Sequence, residues 1–190
     1  MFKELVKNAR SCRRFDSTYQ IHDDELKDII DTARITPSAA NRQLIKYTVT
    51  NRSEINAKIF PCIGWAAYLP DWKGPTEEEQ PSAYIVLYSE MQFIPHLNVD
   101  PGIVAQTIML AAREKGLGAC IIASIDKTKI KKIVNLSKEN EIILVIAIGK
   151  PIEQIVLEDV GENGSIKYWR DENDVHHVPK RKLDDVISFV

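Results

Sequence analysis

The stretch EIILVIAIG at residues 141–149 decides the fold, because it places seven apolar residues in succession. A run this short and this rich in isoleucine predicts a β-strand that is buried on both faces. Gly149, Lys150 and Pro151 predict its end. A strand covered on both faces requires other elements on each side of its sheet. The rest of the sequence should therefore supply strands and helices that surround it.

Three further segments have the composition of strands. They are rich in β-branched and aromatic residues, and they lie at residues 44–50 (LIKYTVT), 82–89 (SAYIVLYS) and 119–124 (ACIIAS). The helices and strands alternate only loosely, without the regular strand–helix–strand period of a doubly wound fold. The sequence therefore predicts a mixed sheet that is wrapped by helices.

Two segments have the pattern of longer helices. The first covers residues 23–35, with Asp23 or Asp24 as the expected N-cap. The second is expected to begin at Asp100 and to end at the C-cap Gly116-Leu117-Gly118. One apolar face of this second helix is formed by Ile103, Thr107, Leu110 and Ala111.

The length of 190 residues suits a single domain, and we assign residues 1–190 to one. Residues 61–81 are the least regular stretch, with four prolines, two glycines and two tryptophans, which is typical of a lid or a binding loop. We treat them as a lid-like insertion and residues 156–190 as a C-terminal extension. The triple glutamate at residues 77–79 favours a solvated face over a metal site.

Composition excludes several classes of protein. The chain carries 25 basic and 27 acidic residues, a net charge of −2, and nucleic-acid binding usually requires a strongly basic domain. No apolar run approaches the ~20 residues that span a bilayer, and the charged N-terminus does not resemble a secretory signal. An odd number of cysteines without a CxxC motif is typical of reduced thiols. We therefore expect a cytoplasmic protein that has neither a membrane nor a nucleic acid as its partner.

Familiar catalytic motifs are absent. The sequence contains no G-x-G-x-x-G, no G-x-x-x-x-G-K-[ST] and no G-x-S-x-G motif. His176 and His177 would point apart in an extended chain, which argues against a metal site. We expect all four histidines, including His22 and His96, to be ordinary surface or tail residues. The cysteines have no context typical of a nucleophile.

Two segments suggest a binding site. Arg10-Ser11-Cys12-Arg13-Arg14 is either a solvated basic run or a phosphate clamp, because guanidinium groups match phosphate oxygens. Pro37-Ser38-Ala39-Ala40-Asn41-Arg42-Gln43 is either a simple turn or a platform of small residues for a flat ring. In the second case the amides of Asn41 and Gln43 would bind the edges of the ring.

These segments, in this order, resemble the FMN-dependent nitroreductase family. The matching parts are the arginine segment at residues 9–15, the P-S-x-x-N-x-Q segment at 37–43, the helix from Asp100 to Gly118, the G-K-P at 149–151 and the basic residues at 180–182. The resemblance implies an α+β fold of the three-layer α/β/α type, with a mixed, mainly antiparallel sheet. It also implies a homodimer that binds FMN at the subunit interface.

The resemblance implies three groups of FMN-binding residues. The phosphate and ribityl chain would be held by Arg10, Ser11 and Arg13, joined by Lys180 and Lys182, and Arg14 of the same segment is also expected to bind FMN. The partner subunit would contribute Ser38, Ala39 and Asn41, and Pro37 and Gln43 of the same loop are also expected to bind FMN. The strand residues Ile122, Ala123 and Ser124 would lie beside the isoalloxazine ring, through backbone groups in the case of Ala123 and Ser124.

The function implied by the resemblance is an oxidoreductase that uses NAD(P)H to reduce electron-poor acceptors such as nitroaromatics or quinones. Because the flavin carries the chemistry, no catalytic side chain and no metal are expected. Three aromatic residues of the lid-like insertion either stack on a planar substrate or simply pack over the pocket, namely Trp65, Tyr68 and Trp72. The alternatives are a flavin-binding sensor or carrier without turnover, a reductive dehalogenase, or a relative that fragments reduced flavin.

Overall fold

The computed structural model describes residues 1–90 and 99–190. Within them the chain divides into two compact units. The larger unit contains Met1–Trp65 and Gly74–Ile152, and the smaller unit contains Ala66–Lys73 and Glu153–Val190. The smaller unit thus combines the middle of the predicted lid-like insertion with the predicted C-terminal extension.

The larger unit is built from helices and strands in alternation. Its helices are α1 (Phe2–Asn8), α2 (Asp23–Arg34), α3 (Ser53–Ile59), α4 (Asp100–Glu114) and α5 (Lys127–Ile133). Its strands are β1 (Phe15–Asp16), β2 (Ile45–Thr50), β3 (Ala83–Ser89), β4 (Gly118–Ile122) and β5 (Glu141–Pro151). Short 3-10 helices occur at Ala39–Asn41, Phe60–Cys62 and Glu77–Glu79.

Strand β5 is the centre of the sheet. It pairs antiparallel with β3, β4 and β1, and β2 pairs with β3 at an edge. The four residues from Val145 to Ile148 are all 0% exposed, and the strand predicted at residues 141–149 is confirmed and extends to Pro151. Because β5 has neighbours along both edges and helices over both faces, its sequence from Ile142 to Ile148 has no polar position to alternate with the apolar ones.

Helices cover both faces of this sheet. On one face α2 and α4 pack on Ala83, Ile85 and Leu87, and on the other face Ile59 of α3 and Ile130 of α5 join the core that contains the alternate residues of β3. Side chains alternate across a strand, so β3 contributes to both cores. The predicted three-layer α/β/α arrangement with a mainly antiparallel sheet is confirmed.

Helix α2 begins differently from the prediction. Its N-cap is His22, whose N–H donates to the Glu25 carboxylate at 3.0 Å, rather than Asp23 or Asp24. Asp23 instead accepts a hydrogen bond from the side-chain amide of Asn51 at 2.7 Å. The acidic first turn still complements the helix dipole. The observed N-cap therefore lies one residue before the first of the two predicted positions.

Helix α4 ends as predicted, but its buried face differs. The N–H of Leu117 donates to the carbonyl of Ala112 at 2.9 Å, and Gly116 has a φ of +73°, which together form a Schellman cap. The core-facing residues of α4 are Val104, Ala105, Ile108, Met109, Ala111 and Ala112. Of the predicted face only Ala111 is in this core, whereas Ile103, Thr107 and Leu110 are half-buried.

The smaller unit contains a three-stranded sheet within the described residues, with the 3-10 helix Leu183–Asp185 near its end. Its strands are β6 (Ile155–Asp159), β7 (Trp169–Arg170) and β8 (His176–Lys180). The central strand β8 pairs parallel with β6 and antiparallel with β7.

The two adjacent histidines of β8 point to opposite faces of this sheet, as predicted. The ring of His176 lies 5.2 Å from that of Tyr168, whereas the ring of His177 stacks on Trp169. His176 is 1% exposed, so of the two expected alternatives it is a residue of the C-terminal tail and not of the surface. Strand alternation turns it toward the buried carboxylate of Glu153. His22 is exposed, and His96 lies outside the described residues.

No helix in residues 1–90 and 99–190 is both long enough and apolar enough to cross a bilayer.

Candidate functional site

The arginine segment at residues 10–14 runs along the outer edge of β4. The N–H of Cys12 donates to the carbonyl of Ala119 at 3.0 Å, and Ser11 forms a parallel bridge to the same residue. Cys12 and Phe15 are buried, at 3% and 0% exposure, while Ser11 is exposed. The buried residues fix the segment to the sheet and leave the hydroxyl accessible.

Two glycines allow this close approach. A Cβ atom at Gly118 would lie 3.0 Å from the Cβ atoms of both Cys12 and Pro151, and a Cβ at Gly149 would lie 2.9 Å from the ring of Phe15. Any larger residue at either position would push the segment outward. Gly118, which the sequence placed in a helix cap, therefore also sets the depth of the arginine segment.

Arg10 is half-buried and only partly satisfied. One of its terminal nitrogens donates to the carbonyl of Val6 at 2.7 Å. Its Nε is buried and has no hydrogen-bond partner within the part of the chain that the structure describes. Burial lowers the pKa of Arg10, because the charged form loses solvation. An anion next to this guanidinium would offset that cost.

Arg13 and Arg14 have different environments. A terminal nitrogen of Arg13 donates to the carbonyl of Ser11 at 3.2 Å, so these two residues share one turn. Arg14 forms an ion pair with Glu79, whose carboxylate accepts from its Nε at 2.7 Å. Although burial opposes it, hydrogen bonds from Arg14 and Thr76 lower the pKa of the Glu79 carboxyl. Arg14 thus ties the arginine segment to the 3-10 helix at Glu77–Glu79.

The loop at residues 37–43 is held at the beginning of α4. The N–H of Ala39 lies 3.0 and 3.2 Å from the two carboxylate oxygens of Asp100, which is 5% exposed. Three residues of the loop have left-handed backbone conformations, namely Ala40, Asn41 and Gln43. Such conformations cost side-chain-bearing residues about 1–3 kcal/mol each and persist only where the surroundings impose them.

The polar side chains of this loop contact one another. The hydroxyl of Ser38 accepts the N–H of Gln43 at 3.1 Å, and the amide of Gln43 donates to the side-chain oxygen of Asn41 at 3.2 Å. Asn41 and Gln43 are exposed. The loop therefore presents two preordered amide groups at the surface of the larger unit.

Helix α4 separates this loop from the arginine segment. The loop is bonded to Asp100 in the first turn of α4, whereas Cys12 packs on Gly118, four residues beyond the last residue of the helix. Helix α4 has 15 residues, which corresponds to roughly 20 Å at 1.5 Å per residue. Within one chain the two predicted binding segments consequently lie near opposite ends of this helix.

The end of β4 meets the beginning of the lid-like insertion. Strand β4 ends at Ile122, two residues before the predicted end, because the chain then pairs with residues 62–64. The N–H of Gly64 donates to the carbonyl of Ser124 at 2.8 Å. A Cβ at Gly64 would lie 2.6 Å from the hydroxyl oxygen of Ser124. Ala123 and Ser124 are exposed next to this contact, while Ile122 is buried.

The three predicted substrate residues belong to two different units of the chain. Trp65 belongs to the larger unit, where its ring lies 6.0 Å from that of Phe60 and packs against Gly74. Tyr68 and Trp72 belong to the smaller unit, where they contact Tyr168 and Arg170.

The remaining predicted phosphate-binding residues lie in the smaller unit. Lys180 is the exposed last residue of β8, and Lys182 is exposed directly before the 3-10 helix Leu183–Asp185. Their participation in the clamp stays a prediction. No group of three or more potential metal ligands occurs within the described ranges 1–90 and 99–190.

Sequence reasoning missed Asp100 and Glu79 as parts of the site. In the sequence, Asp100 indicates only the start of a helix, because it precedes Pro101 in the first turn. Glu79 belongs to a run of three glutamates that predicts a solvated face, and Glu77 and Glu78 are indeed exposed. Only the fold shows that each carboxylate holds one of the two binding segments.

The sequence of this chain is similar to known proteins. The profile of the "Nitroreductase family" matches residues 6–150. The chain is 22% identical over 195 aligned residues to the Bacillus subtilis (strain 168) protein named "Putative NAD(P)H nitroreductase YdgI", and the alignment covers 80% of this chain and 90% of that protein.

Solved structures share its fold. A nitroreductase family protein from Streptococcus pneumoniae TIGR4 matches with a TM-score of 0.73 and 18% identity, covering 100% of both chains. An FMN-dependent nitroreductase from Clostridium difficile R20291 matches with a TM-score of 0.65 and 20% identity, covering 79% of this chain and 87% of that one.

The chain therefore belongs to the nitroreductase family, a family of oxidoreductases, and the resemblance drawn from its sequence segments is confirmed. The matched range ends at Lys150, within β5, so residues 153–190 of the smaller unit lie beyond it.

Proposed function

We propose that this protein is an FMN-dependent oxidoreductase that uses NAD(P)H to reduce planar, electron-poor acceptors such as nitroaromatics or quinones. Family membership supports the reaction class. The names of the similar proteins from B. subtilis and C. difficile refer to NAD(P)H and to FMN, respectively. The observation that carries the proposal is the half-buried guanidinium of Arg10, whose unpartnered Nε lies in the same short segment as Ser11 and Arg13.

The residues of the arginine segment fit the phosphate of FMN. A phosphate monoester carries close to two negative charges and offers three acceptor oxygens. Arg10 and Arg13 supply positive charge and several N–H donors, and the exposed Ser11 supplies a hydroxyl. A bound phosphate would give the buried Nε of Arg10 an acceptor. We assign Arg14 the role of positioning this segment through Glu79, and Lys180 and Lys182 that of further phosphate contacts.

The other two groups would orient the ring. Backbone groups of the exposed residues Ala123 and Ser124 would lie beside it, next to the buried Ile122. The loop residues Pro37, Ser38 and Ala39 leave room for a flat ring, and the amides of Asn41 and Gln43 would bind its polar edges. The chemistry that bound FMN supplies is hydride acceptance from NAD(P)H followed by electron transfer to the acceptor, in two alternating half-reactions.

We further propose that the site is completed in a homodimer. The arginine segment and the loop at residues 37–43 lie near opposite ends of α4, roughly 20 Å apart along the helix. One chain would therefore bring only one of the two segments to a given flavin, and a second copy would supply the other. Twofold dimers are the commonest assembly that creates two equivalent sites of this kind.

Aromatic residues of the lid-like insertion would contact the acceptor. Trp65 follows Gly64, which is bonded to Ser124 at the predicted edge of the ring. Tyr68 is 44% exposed and Trp72 is half-buried, so both retain accessible ring surface. We retain the expectation of a cytoplasmic location, where NAD(P)H is available.

The visible spectrum of freshly purified protein tests the proposal. We expect bound flavin, rapid bleaching by NADH or NADPH without oxygen, and return of the colour on addition of a nitroaromatic or a quinone. Protein that is yellow but is not bleached by either nucleotide would instead be a flavin-binding sensor or carrier. Protein that neither retains nor binds FMN would contradict the proposal.

A further inference from the structure

The sheet of the smaller unit has two chemically distinct faces. Side chains alternate along β7 and β8, so Tyr168, Arg170 and His176 share one face, and Trp169 and His177 share the other. On the second face Trp169 stacks on His177, with ring centroids 4.1 Å apart and planes 12° from parallel. The first face has a different partner, namely the segment Ala66–Lys73.

Both aromatic residues of that segment are held by the first face. The phenol oxygen of Tyr168 accepts the N–H of Tyr68 at 3.2 Å, and the two rings lie 5.0 Å apart. The guanidinium carbon of Arg170 lies 4.3 Å from the centre of the ring of Trp72. A guanidinium over an indole is a favourable cation–π arrangement.

A buried carboxylate pairs with Arg170. The side chain of Glu153 is 0% exposed and that of Arg170 only 10% exposed, and a terminal nitrogen of Arg170 lies 2.7 Å from the carboxylate. Tyr168 is supported by the buried ring of His176 at 5.2 Å. The two residues that contact the segment are therefore themselves in contact with buried side chains, and they define where Tyr68 and Trp72 lie.

We propose that Tyr168 and Arg170 are positioning residues that hold Tyr68 and Trp72 ready for the acceptor, so that residues 153–190 determine acceptor specificity. This inference rests on the proposed function, in which Tyr68 and Trp72 contact the acceptor. It assigns a role to the part of the chain that lies beyond the range matched by the family. It also implies that Tyr168 and Arg170 keep the segment Ala66–Lys73 in one place, so that the segment does not act as a freely moving lid.

Two variants loosen this contact while keeping the buried charges balanced. Arg170→Lys retains a cation for Glu153 but removes the planar group from Trp72, and Tyr168→Phe retains the ring but removes the acceptor for the N–H of Tyr68. Trp169→Phe is the matched control, because Trp169 lies on the opposite face of the sheet and stacks on His177. All variants are compared as the FMN-loaded protein.

Three measurements are needed: hydrogen exchange of residues 66–73, the Kd of 4-nitrobenzamide by calorimetry, and kcat and KM for its reduction. For Arg170→Lys we expect faster exchange and an increase of about fivefold to tenfold in both Kd and KM, since the planar guanidinium over the indole of Trp72 is lost. For Tyr168→Phe we expect a smaller increase, and for Trp169→Phe none. FMN content and kcat should not change.

The outcomes separate this inference from the proposed function. Faster exchange with an unchanged Kd, or no change in either, would overturn it even if the wild-type protein is an active reductase. The same would follow if the wild-type protein fails to bind 4-nitrobenzamide. If it binds this compound without reducing it, the proposed function fails, and the Kd values of the variants still test the positioning role.

Discussion

Asp100 accepts the backbone N–H of Ala39, which lies 3.0 and 3.2 Å from its two carboxylate oxygens. The contact joins residues 61 positions apart in the chain, and Asp100 is buried. Because Ala40 and Asn41 follow with left-handed backbones, this bond is what holds a strained loop against the first turn of α4.

Replacing Asp100 should release the loop. Asp100→Ala removes both acceptors and leaves the N–H of Ala39 unpaired, which should lower the free energy of unfolding by about 1–3 kcal/mol and weaken FMN binding. Asp100→Asn keeps one acceptor oxygen, so it should retain most of the wild-type free energy of unfolding and most of the wild-type affinity for FMN. Urea denaturation and FMN titration measure them. Equal losses in the two variants would show that the hydrogen bond to Ala39 is not what matters.

Removing Arg13 should reduce FMN binding without affecting the fold. A charge-assisted hydrogen bond contributes about 1.5–3 kcal/mol, so Arg13→Ala should raise the Kd of FMN about 10- to 150-fold. Lys7→Ala is the control, since Lys7 is an exposed cation on α1 that pairs with Glu4. Fluorescence titration of the flavin-free protein gives both values. Full flavin occupancy in purified Arg13→Ala protein would argue against the phosphate clamp.

Mixed dimers should reveal whether two chains share each site. A dimer of one Arg13→Ala chain and one Asp100→Ala chain would contain one doubly altered site and one intact site, if the clamp and the loop come from different chains. We expect such dimers, isolated with two affinity tags, to bind about one FMN at concentrations where either parent dimer binds almost none. Binding as weak as in the parents would place both segments in the same site of one chain.

Substituting Gly118 should displace the arginine segment. The Cβ of Gly118→Ala would lie 3.0 Å from Cys12 and Pro151, and such overpacking costs about 1–3 kcal/mol. Gly102→Ala is the contrasting control, because a Cβ there meets nothing within 4 Å and alanine favours the helix by about 0.8–1 kcal/mol. The Tm should therefore fall for Gly118→Ala and rise for Gly102→Ala. FMN affinity should fall only for Gly118→Ala.

The stability of the smaller unit should depend on pH through His177. Its ring nitrogens lie 3.1 Å from Glu158 and 3.4 Å from Asp171. Although desolvation opposes it, these two carboxylates raise the pKa of His177 above 6.5. The folded state then binds the proton more tightly than the unfolded state, so this stabilisation is complete below pH 6.5 and is lost as pH rises through the folded-state pKa.

We therefore expect the free energy of unfolding to decrease from about pH 6 to pH 8.5. Urea denaturation followed by tryptophan fluorescence measures it at each pH, since Trp169 stacks on this ring. His177→Gln should flatten the dependence. Identical slopes in the wild type and His177→Gln would exclude His177 as the source.

The elements of this fold could be predicted where one signal dominated. Seven successive apolar residues identified β5, and Gly116 identified the end of α4. The buried face of α4 could not be predicted. Apolar residues occur on nearly all sides of this helix, so the spacing of its apolar residues does not distinguish one buried face from another. Ile103 and Leu110 fit one face as well as Val104 and Ile108 fit the other.

The residues of the candidate site, too, could be predicted only in part. The arginine segment and the loop at residues 37–43 were found because unusual residue types lie close together in sequence. Asp100, Glu79 and Arg170 were not found, since each acts on residues that are at least 61 positions away. An acidic residue in a first turn or in a glutamate run carries no local sign of its distant partner. Tertiary contacts of this kind need the fold.

The position of β5 in the chain also constrains how the protein is made. Strands β1, β3 and β4 all pair with β5 and all precede it. Strand β3 can pair with β2 as soon as both have been made, whereas β1 and β4 pair with β5 and must wait for it. The sheet of the larger unit can therefore be completed only after residue 151 has been synthesised. Until then β4 and one edge of β3 are exposed strand edges of the kind that promote aggregation.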